Sequence, residues 1–173
     1  MSTNQNLAAK PDLAGKPDLA NKPSLPNKPS LAIKRRLNAP PPTVYRAWTD
    51  PAQITRWFGP EQAEILRSEA DARVGGRFHI VFRTAGGEEH GVGGEYRDVV
   101  PDQKLVFTWA WRSTPERESL VTIALKPDGE GTLLTLTHEQ FFDEPARDRH
   151  RMGWTATLDK LERLFATKSA SSE

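Results

Sequence analysis

Residues 143–166, DEPARDRHRMGWTATLDKLERLFA, carry the clearest structural signal in the chain. Apolar side chains recur in it at spacings of four, three and four residues, which places them in one stripe along an α-helix. The stripe consists of Trp154, Leu158, Leu161 and Phe165. The sequence therefore predicts a long amphipathic helix that begins near Asp143 and packs this stripe against another element.

One glycine lies inside this helix, directly before the first residue of the stripe. Gly153 lowers the stability of a helix by about 1 kcal/mol relative to alanine, because glycine loses more backbone entropy on folding. We therefore expect another element to approach the helix backbone closely at Gly153.

Alternating apolar and polar residues before the helix predict a series of strands. The first is residues 31–37, and the others lie near residues 63–70, 76–84, 90–99, 104–112, 119–126 and 132–138. Gly86-Gly87 and Asp128-Gly129 are hairpin signals, and Pro101-Asp102 marks another turn. We therefore predict an α+β fold in which one long helix lies on one antiparallel sheet and encloses a cavity.

Two short helices are predicted after the first strand. Pro41-Pro42 begins the first helix, whose apolar face is Val44, Ala47 and Trp48. Asp50 caps the second helix and Pro51 takes its first helical position. Its apolar face is Ile54, Trp57 and Phe58, and Gly59-Pro60 ends it.

Seven short motifs occur in one order along the chain. They are Val44-x-x-Ala47-Trp48-Thr49-Asp50-Pro51, Trp57-Phe58-Gly59-Pro60, Val74-Gly75-Gly76-Arg77-Phe78, Gly94-Glu95-Tyr96-Arg97-Asp98-Val99-Val100-Pro101, Lys104-Leu105-Val106-Phe107-Thr108-Trp109, Thr135-Leu136-Thr137-His138-Glu139 and His150-x-x-Gly153-Trp154. Together they resemble the activator of heat-shock-protein-ninety ATPase homologue family, a branch of the START-related SRPBCC superfamily. The resemblance covers about residues 31–166 and implies a helix-grip fold, in which a curved antiparallel sheet wraps the C-terminal helix.

Composition limits the classes of protein. The 173 residues suit one domain, and the absence of cysteine excludes disulfides and thiolate metal sites. Residues 1–36 hold seven Lys or Arg and two Asp, a net charge of +5, so the rest of the chain is near −4. Such a mildly acidic domain does not resemble a nucleic-acid binder. No apolar run is long enough to span a membrane, and we expect a cytoplasmic protein.

The N-terminal region is a six-residue repeat that begins with Lys-Pro at residues 10, 16, 22 and 28. Proline at the second position of each repeat prevents a helix or a central strand, and one leucine per repeat is too little to bury. We predict that residues 1–30 are disordered, that residues 31–166 form the ligand-binding domain and that residues 167–173 are a disordered C-terminus. The tail is either a solvated linker or a docking segment for a protein partner.

The four histidines are the first candidates for chemistry, because histidine titrates near neutral pH. His79, His90, His138 and His150 lack the spacing of a zinc site, so we predict no metal and no cofactor. Strand alternation directs His138 inward, and His150 shares the helix face of Trp154. Each histidine either reaches the cavity or only satisfies buried polar groups.

Other catalytic arrangements are disfavoured. No serine lies in a nucleophile elbow, and the glycine pairs do not precede a phosphate-binding helix. Glu95 and Asp98 are three residues apart on a strand, so we expect them on opposite faces and not as a carboxylate pair.

Aromatic and aliphatic side chains on the inward faces are the candidates for a cavity wall. The candidate ligand-binding residues are Trp57, Phe58, Phe78, Ile80, Phe82, Tyr96, Phe107, Trp109, Trp111, Ile123, Leu136, His138, His150, Trp154 and Leu158. Ordinary core packing is the alternative explanation for the same residues.

The sequence favours a protein that binds a hydrophobic or amphipathic small molecule between sheet and helix, as a carrier, sensor or sequestering protein. Two alternatives remain open. The wider superfamily and the two inward histidines indicate a cyclase or hydrolase acting on a polyketide-like substrate. The family name indicates a co-chaperone-type interaction domain.

Overall fold

The computed structural model describes residues 28–171, with side chains to residue 166. Seven strands and three helices make up this part of the chain. In chain order they are β1 (Leu31–Leu37), α1 (Pro41–Thr49), α2 (Pro51–Ile54), β2 (Glu64–Ala70), β3 (Arg77–Arg83), β4 (Glu89–Val100), β5 (Lys104–Trp111), β6 (Ser119–Asp128), β7 (Gly131–Glu139) and α3 (Glu144–Ser171).

The strands form one antiparallel sheet in the order β1-β7-β6-β5-β4-β3-β2. Strands β2 to β7 follow one another as neighbours, because short turns connect antiparallel strands. Gly87 and Gly129 take φ values of 95° and 61° in the two predicted hairpins, a backbone region that glycine enters without steric cost. All strand bounds lie within two residues of those predicted, and the predicted α+β class is confirmed.

Helix α3 covers the inner face of the curved sheet, which is the predicted helix-grip architecture. The predicted stripe is buried, with Leu158 and Leu161 fully enclosed and Trp154 only 4% exposed. The inward positions of the strands supply the other half of the core, including Phe78, Ile80, Phe82, Leu105, Phe107, Trp109, Val121, Ile123, Leu125, Leu134 and Leu136. Burial of these apolar side chains is the main source of stability.

Both predicted short helices form, but the second ends at Ile54, so Trp57 and Phe58 lie in the turn after it and not on its face. Asp50 accepts a hydrogen bond from the Ala52 amide at 3.0 Å, so it caps the second helix. The Trp57 indole donates to the Ala47 carbonyl at 3.0 Å, which joins the end of α2 to α1. Gly59 lies in the turn after α2 with φ 89°, and its carbonyl accepts hydrogen bonds from α3.

The predicted orientation of Glu95 and Asp98 is wrong. The pairing of β4 with β5 shifts between Tyr96 and Asp98, which is a β-bulge. One extra residue reverses the alternation of faces, so Glu95 and Asp98 both lie on the outer face. There Glu95 faces Arg97 at 3.6 Å and Asp98 faces Lys104 at 2.9 Å. Both carboxylates therefore lie outside the helix-covered side of the sheet.

The two ends of the predicted domain carry further contacts. The Pro29 carbonyl accepts from the Phe141 amide at 3.2 Å, so the chain is already bonded to the domain before Leu31. Residues 1–27 of the predicted tail lie outside the described residues. Helix α3 continues to Ser171, beyond the predicted limit at residue 166. Among the described helices, none is long and apolar enough to cross a membrane.

Candidate functional site

A pocket of about 470 Å³ opens between the sheet and the first half of α3. This volume is within the range of ordinary small-molecule sites. The lining residues are Phe58, Gly59, Pro60, Phe82, Thr84, His90, Trp109, Trp111, Ser113, Thr114, Arg117, Arg149, His150, Gly153, Trp154 and Thr157. They come from α3, from β3 to β5, from the turn after α2 and from the segment between β5 and β6.

Helix α3 turns one continuous face towards this pocket. Its lining residues are Arg149, His150, Gly153, Trp154 and Thr157, which follow the three-and-four spacing of one helix face. Gly153 lies at the centre of this face, between His150 and Thr157.

The close approach that we expected at Gly153 is wrong. A Cβ atom built on Gly153 meets no heavy atom within 4 Å among the described residues. Gly153 is exposed and lines the pocket. Because Gly153 has no side chain, the pocket is open at this position. A larger residue here would fill that space.

Aromatic rings form the floor of the pocket. The ring centroids of Trp109 and Trp154 are 5.0 Å apart, and those of Trp109 and Trp111 are 5.6 Å apart in an edge-to-face arrangement. Phe58 lies 6.3 Å from Trp109 and 6.1 Å from Phe82. These distances are typical of favourable aromatic pairs, so the floor is one connected apolar surface.

The hydrogen bonds of His150 determine its protonation state. Its Nε2 atom accepts from the Trp111 indole at 2.8 Å and from the Trp109 indole at 3.3 Å. An indole only donates, so Nε2 carries no proton and Nδ1–H donates to the Ala146 carbonyl at 2.7 Å. Burial lowers the pKa of His150, the Ala146 bond raises it and the charge of Arg149 lowers it. His150 is therefore neutral and holds both indoles in place.

His138 is fully buried in a second indole–imidazole contact. Its Nδ1 atom accepts from the Trp154 indole at 2.9 Å, so its proton lies on Nε2. Burial holds the pKa of His138 well below its usual value, and His150 lowers it further. The neutral ring thus connects β7 to α3 inside the core.

Ser119 and His138 form a serine–histidine pair that lacks the geometry of a nucleophile and its base. The Ser119 Oγ atom is 2.8 Å from His138 Nε2, which carries the ring proton and donates it. The hydroxyl in turn donates to the Trp109 carbonyl at 3.2 Å. A general base needs a free ring nitrogen facing the hydroxyl, and the Trp154 indole occupies the other nitrogen. The pair therefore connects β5, β6 and β7 structurally.

Helix α3 also holds the turn that forms one rim of the pocket. Lys160 Nζ donates to the carbonyls of Phe58, Gly59 and Pro60 at 3.3, 3.3 and 3.1 Å. The Thr157 hydroxyl donates to the Gly59 carbonyl at 3.0 Å. Burial lowers the pKa of Lys160, while Glu61 raises it and Arg163 lowers it. These bonds position the rim against the helix.

The predicted cavity residues fall into three groups. Those that line the pocket are Phe58, Phe82, Trp109, Trp111, His150 and Trp154. Those that line a smaller inner cavity of about 30 Å³ are Trp57, Phe78, Ile80, Tyr96 and Phe107, and it shares Phe58, Trp109 and Trp154 with the pocket. The remaining ones, Ile123, Leu136, His138 and Leu158, are packed in the core.

Sequence reasoning missed the polar part of the pocket. Arg149 and Thr157 share a helix face with His150 and Trp154, so helix spacing alone was enough to find them. Ser113, Thr114 and Arg117 lie in the connection after β5, where the sequence has no periodic signal. Within the described part of the chain, no group of three or more His, Cys, Asp or Glu side chains is placed to hold a metal ion.

The chain is similar to proteins of one family. A human protein named activator of 90 kDa heat shock protein ATPase homolog 1 is 27% identical over 110 residues, which cover 61% of this chain and 30% of the human protein. The mouse protein of the same name is 26% identical over the same shares. The chain thus spans less than a third of the length of these relatives.

Solved structures match nearly the whole domain. The AHSA1 protein from Silicibacter pomeroyi is 29% identical with a TM-score of 0.73, and the match covers 81% of this chain and 99% of that one. A protein from Chromobacterium violaceum is 32% identical with a TM-score of 0.71, covering 79% and 97%. The profile of the family described as activator of Hsp90 ATPase homolog 1-like protein matches residues 38–166. Because the family profile matches most of the chain and the fold agrees with these solved structures, the chain belongs to that family.

Proposed function

We propose that the protein binds an apolar or amphipathic small molecule in the pocket between the sheet and α3, as a carrier, sensor or sequestering protein. The observation that supports this most is the open pocket itself, which has an aromatic floor and a glycine at the centre of its helical wall. An apolar ligand gains about 25 cal/mol for each Å² of apolar surface removed from water.

The histidines support binding more than acid–base catalysis. All four ring nitrogens of His138 and His150 are engaged in hydrogen bonds within the protein. General acid–base catalysis needs a titratable group within reach of the substrate proton. Both rings serve instead to fix the three indoles of the pocket floor.

The substitution Gly153→Leu tests the pocket without removing any contact. The leucine side chain enters open space at the centre of the helical wall, so we expect it to displace a ligand. Leucine also favours the helix over glycine by roughly 1 kcal/mol, so the variant should be at least as stable as the wild type. The measurement is titration with the neutral fluorescent probe 1-pyrenebutanol, followed by quenching of tryptophan emission. We expect affinity to fall at least tenfold.

Two variants control this test. Gly153→Ala adds only a Cβ atom and should retain most of the affinity. Met152→Leu changes the neighbouring residue, which is 73% exposed and does not line the pocket, so its affinity should equal that of the wild type. If the wild type does not bind pyrenebutanol, or if Gly153→Leu binds it equally well, the proposed site is wrong. Mass spectrometry of molecules that co-purify with the full chain would then identify a natural ligand.

A co-chaperone role is the second candidate, because the curated relatives carry that activity in their name. This chain covers only 30% of their length, so the activity of the whole relatives does not transfer directly. Stimulation of the ATPase activity of a 90 kDa heat shock protein by the full chain would favour this role. The pocket variant Gly153→Leu separates the two functions, since a protein-interaction role does not require an open pocket.

A further inference from the structure

We propose that the pocket selects organic anions, in which an apolar body carries a carboxylate, and that Arg117 and Arg149 bind the charged group. This inference rests on the proposed function and specifies the ligand class of the same site.

The charges that line the pocket have one sign. Its titratable residues are Arg117, Arg149, His90 and His150, and no Asp or Glu lies among the described lining residues. The domain around it is close to neutral, because residues 31–166 hold 19 Lys or Arg and 20 Asp or Glu, a net charge of −1. The positive charge of the pocket is therefore a local feature of a nearly neutral domain, and it attracts anions and disfavours cations.

Arg149 has no charged partner among the described residues. Its neighbours three and four positions away on α3 are Pro145, Ala146, Met152 and Gly153, none of which carries charge. The nearby Asp148 pairs with Arg147 at 2.9 Å. The guanidinium of Arg149 thus keeps its donors available to a ligand.

Arg117 is held by an aromatic ring more than by a carboxylate. Its guanidinium carbon lies 3.9 Å from the centroid of Phe142, a cation–π contact. Its ion pair with Glu116 is long, at 4.0 Å, and Glu116 is 70% exposed, so that pair is weak. The ring fixes the arginine without using all of its hydrogen-bond donors.

The two arginines mark one end of the pocket. Both also line an adjoining cavity of about 60 Å³ that shares His150 and Trp111 with the larger pocket. Phe58 and Phe82 line the larger pocket but not this adjoining cavity. A ligand with its apolar body against the phenylalanines therefore directs its head group towards the arginines, whose planar donors match a carboxylate.

A matched pair of probes tests the proposed preference of the pocket for anions. The anionic 1-pyrenebutyrate and the neutral 1-pyrenebutanol have the same ring system and the same four-carbon chain. We expect the full-length protein to bind the anion about tenfold more tightly at low ionic strength, because charge-assisted hydrogen bonds are about twice as strong as neutral ones. The preference should shrink as salt is added.

Arginine variants locate the recognition. Arg117→Gln and Arg149→Gln should each reduce the preference for pyrenebutyrate, and the double variant should bind the two probes with equal affinity. Arg151→Gln is the control, since Arg151 is exposed on the same helix and does not line either cavity. It removes the same charge and should retain the preference.

The outcomes separate this inference from the proposed function. If neither probe binds, the small-molecule function fails and this inference fails with it. If both probes bind the wild type equally, the function stands and the anion preference is wrong. If the double variant keeps the preference, the anion is recognised elsewhere, such as at the basic residues of the N-terminal region, and the assignment to Arg117 and Arg149 is overturned.

Discussion

Individual tryptophans in this core differ in what their indole nitrogens contact. Trp154 donates to His138, Trp109 and Trp111 donate to His150, and Trp57 donates to the Ala47 carbonyl. Trp48 Nε1 is the one buried side-chain polar atom without a hydrogen-bond partner in the described part of the chain. The same residue type thus carries a hydrogen bond at four positions and an unsatisfied donor at the fifth.

This difference predicts unequal effects of one substitution. Trp154→Phe removes the donor to buried His138 and leaves its Nδ1 atom unsatisfied, whereas Trp48→Phe removes a donor that has no partner. Both variants lose the same volume. We expect Trp154→Phe to lower the free energy of unfolding by about 1–3 kcal/mol more than Trp48→Phe does. Urea denaturation of the two variants measures this, and equal losses would show that the indole–imidazole bond contributes nothing.

Among the elements, α3 has two roles, and the surfaces that serve them meet at Trp154. The stripe from Trp154 to Phe165 packs against the sheet, while residues 149–157 form a wall of the pocket. Lys160 and Thr157 connect this helix to the rim turn at residues 58–60. The rim is therefore held by polar contacts from the same helix that forms the core.

The substitution Lys160→Met should loosen the rim. It keeps the length of the side chain but removes the ammonium group that donates to three carbonyls. Since Lys160 is partly exposed, we expect a loss of only about 1 kcal/mol in unfolding free energy. Amide hydrogen exchange in residues 58–63 should become faster and probe affinity should fall. Arg163→Met removes an exposed ion pair with Glu61 and should leave both measurements nearly unchanged.

At the scale of the whole molecule, the buried histidines couple stability to pH. His138 is neutral in the folded protein, where its pKa is well below the ordinary 6.5, mainly through burial and secondly through His150. In the unfolded chain the ring binds a proton near pH 6.5. The unfolded state therefore binds more protons as pH falls below 6.5, so folding stability is retained above that pH and lost below it.

We expect the unfolding free energy to fall below pH 6.5 with a slope of up to about 1.4 kcal/mol per pH unit from His138. Denaturation curves between pH 5 and pH 8 measure this slope. His138→Gln should be less stable but should show a shallower slope. His90→Gln changes a histidine that is 43% exposed and serves as the control. If the wild type and both variants show the same slope of unfolding free energy against pH, groups other than His138 cause the pH dependence.

The fold could be predicted because its signals are periodic. Strand alternation and the helix stripe depend only on the spacing at which apolar residues recur. Alternation located the ends of every strand to within two residues. The site depends on which separate segments meet. Arg117 follows β5 and Arg149 lies in α3, and neither position has a pattern that links it to the other.

Two local features also escaped prediction for physical reasons. An extra residue after Tyr96 changes strand parity, and parity counting assumes that no such residue exists. Gly153 in α3 allowed two explanations, a closely packed neighbouring element or an empty space. The spacing of residues in the sequence does not distinguish them, because it does not show what lies opposite the helix.

Under the proposed function, the open space at Gly153 is a position where the size of the ligand can change without repacking of the core. Any residue other than proline at this position enlarges the side chain, favours the helix and reduces the depth of the pocket, while the packed stripe that begins one residue further on is untouched. A substitution at this one position can therefore change the space for a ligand without weakening the packing that holds the fold together. If the proposed function is shared by relatives of this chain, we expect a larger residue at the position equivalent to Gly153 to accompany a smaller bound molecule.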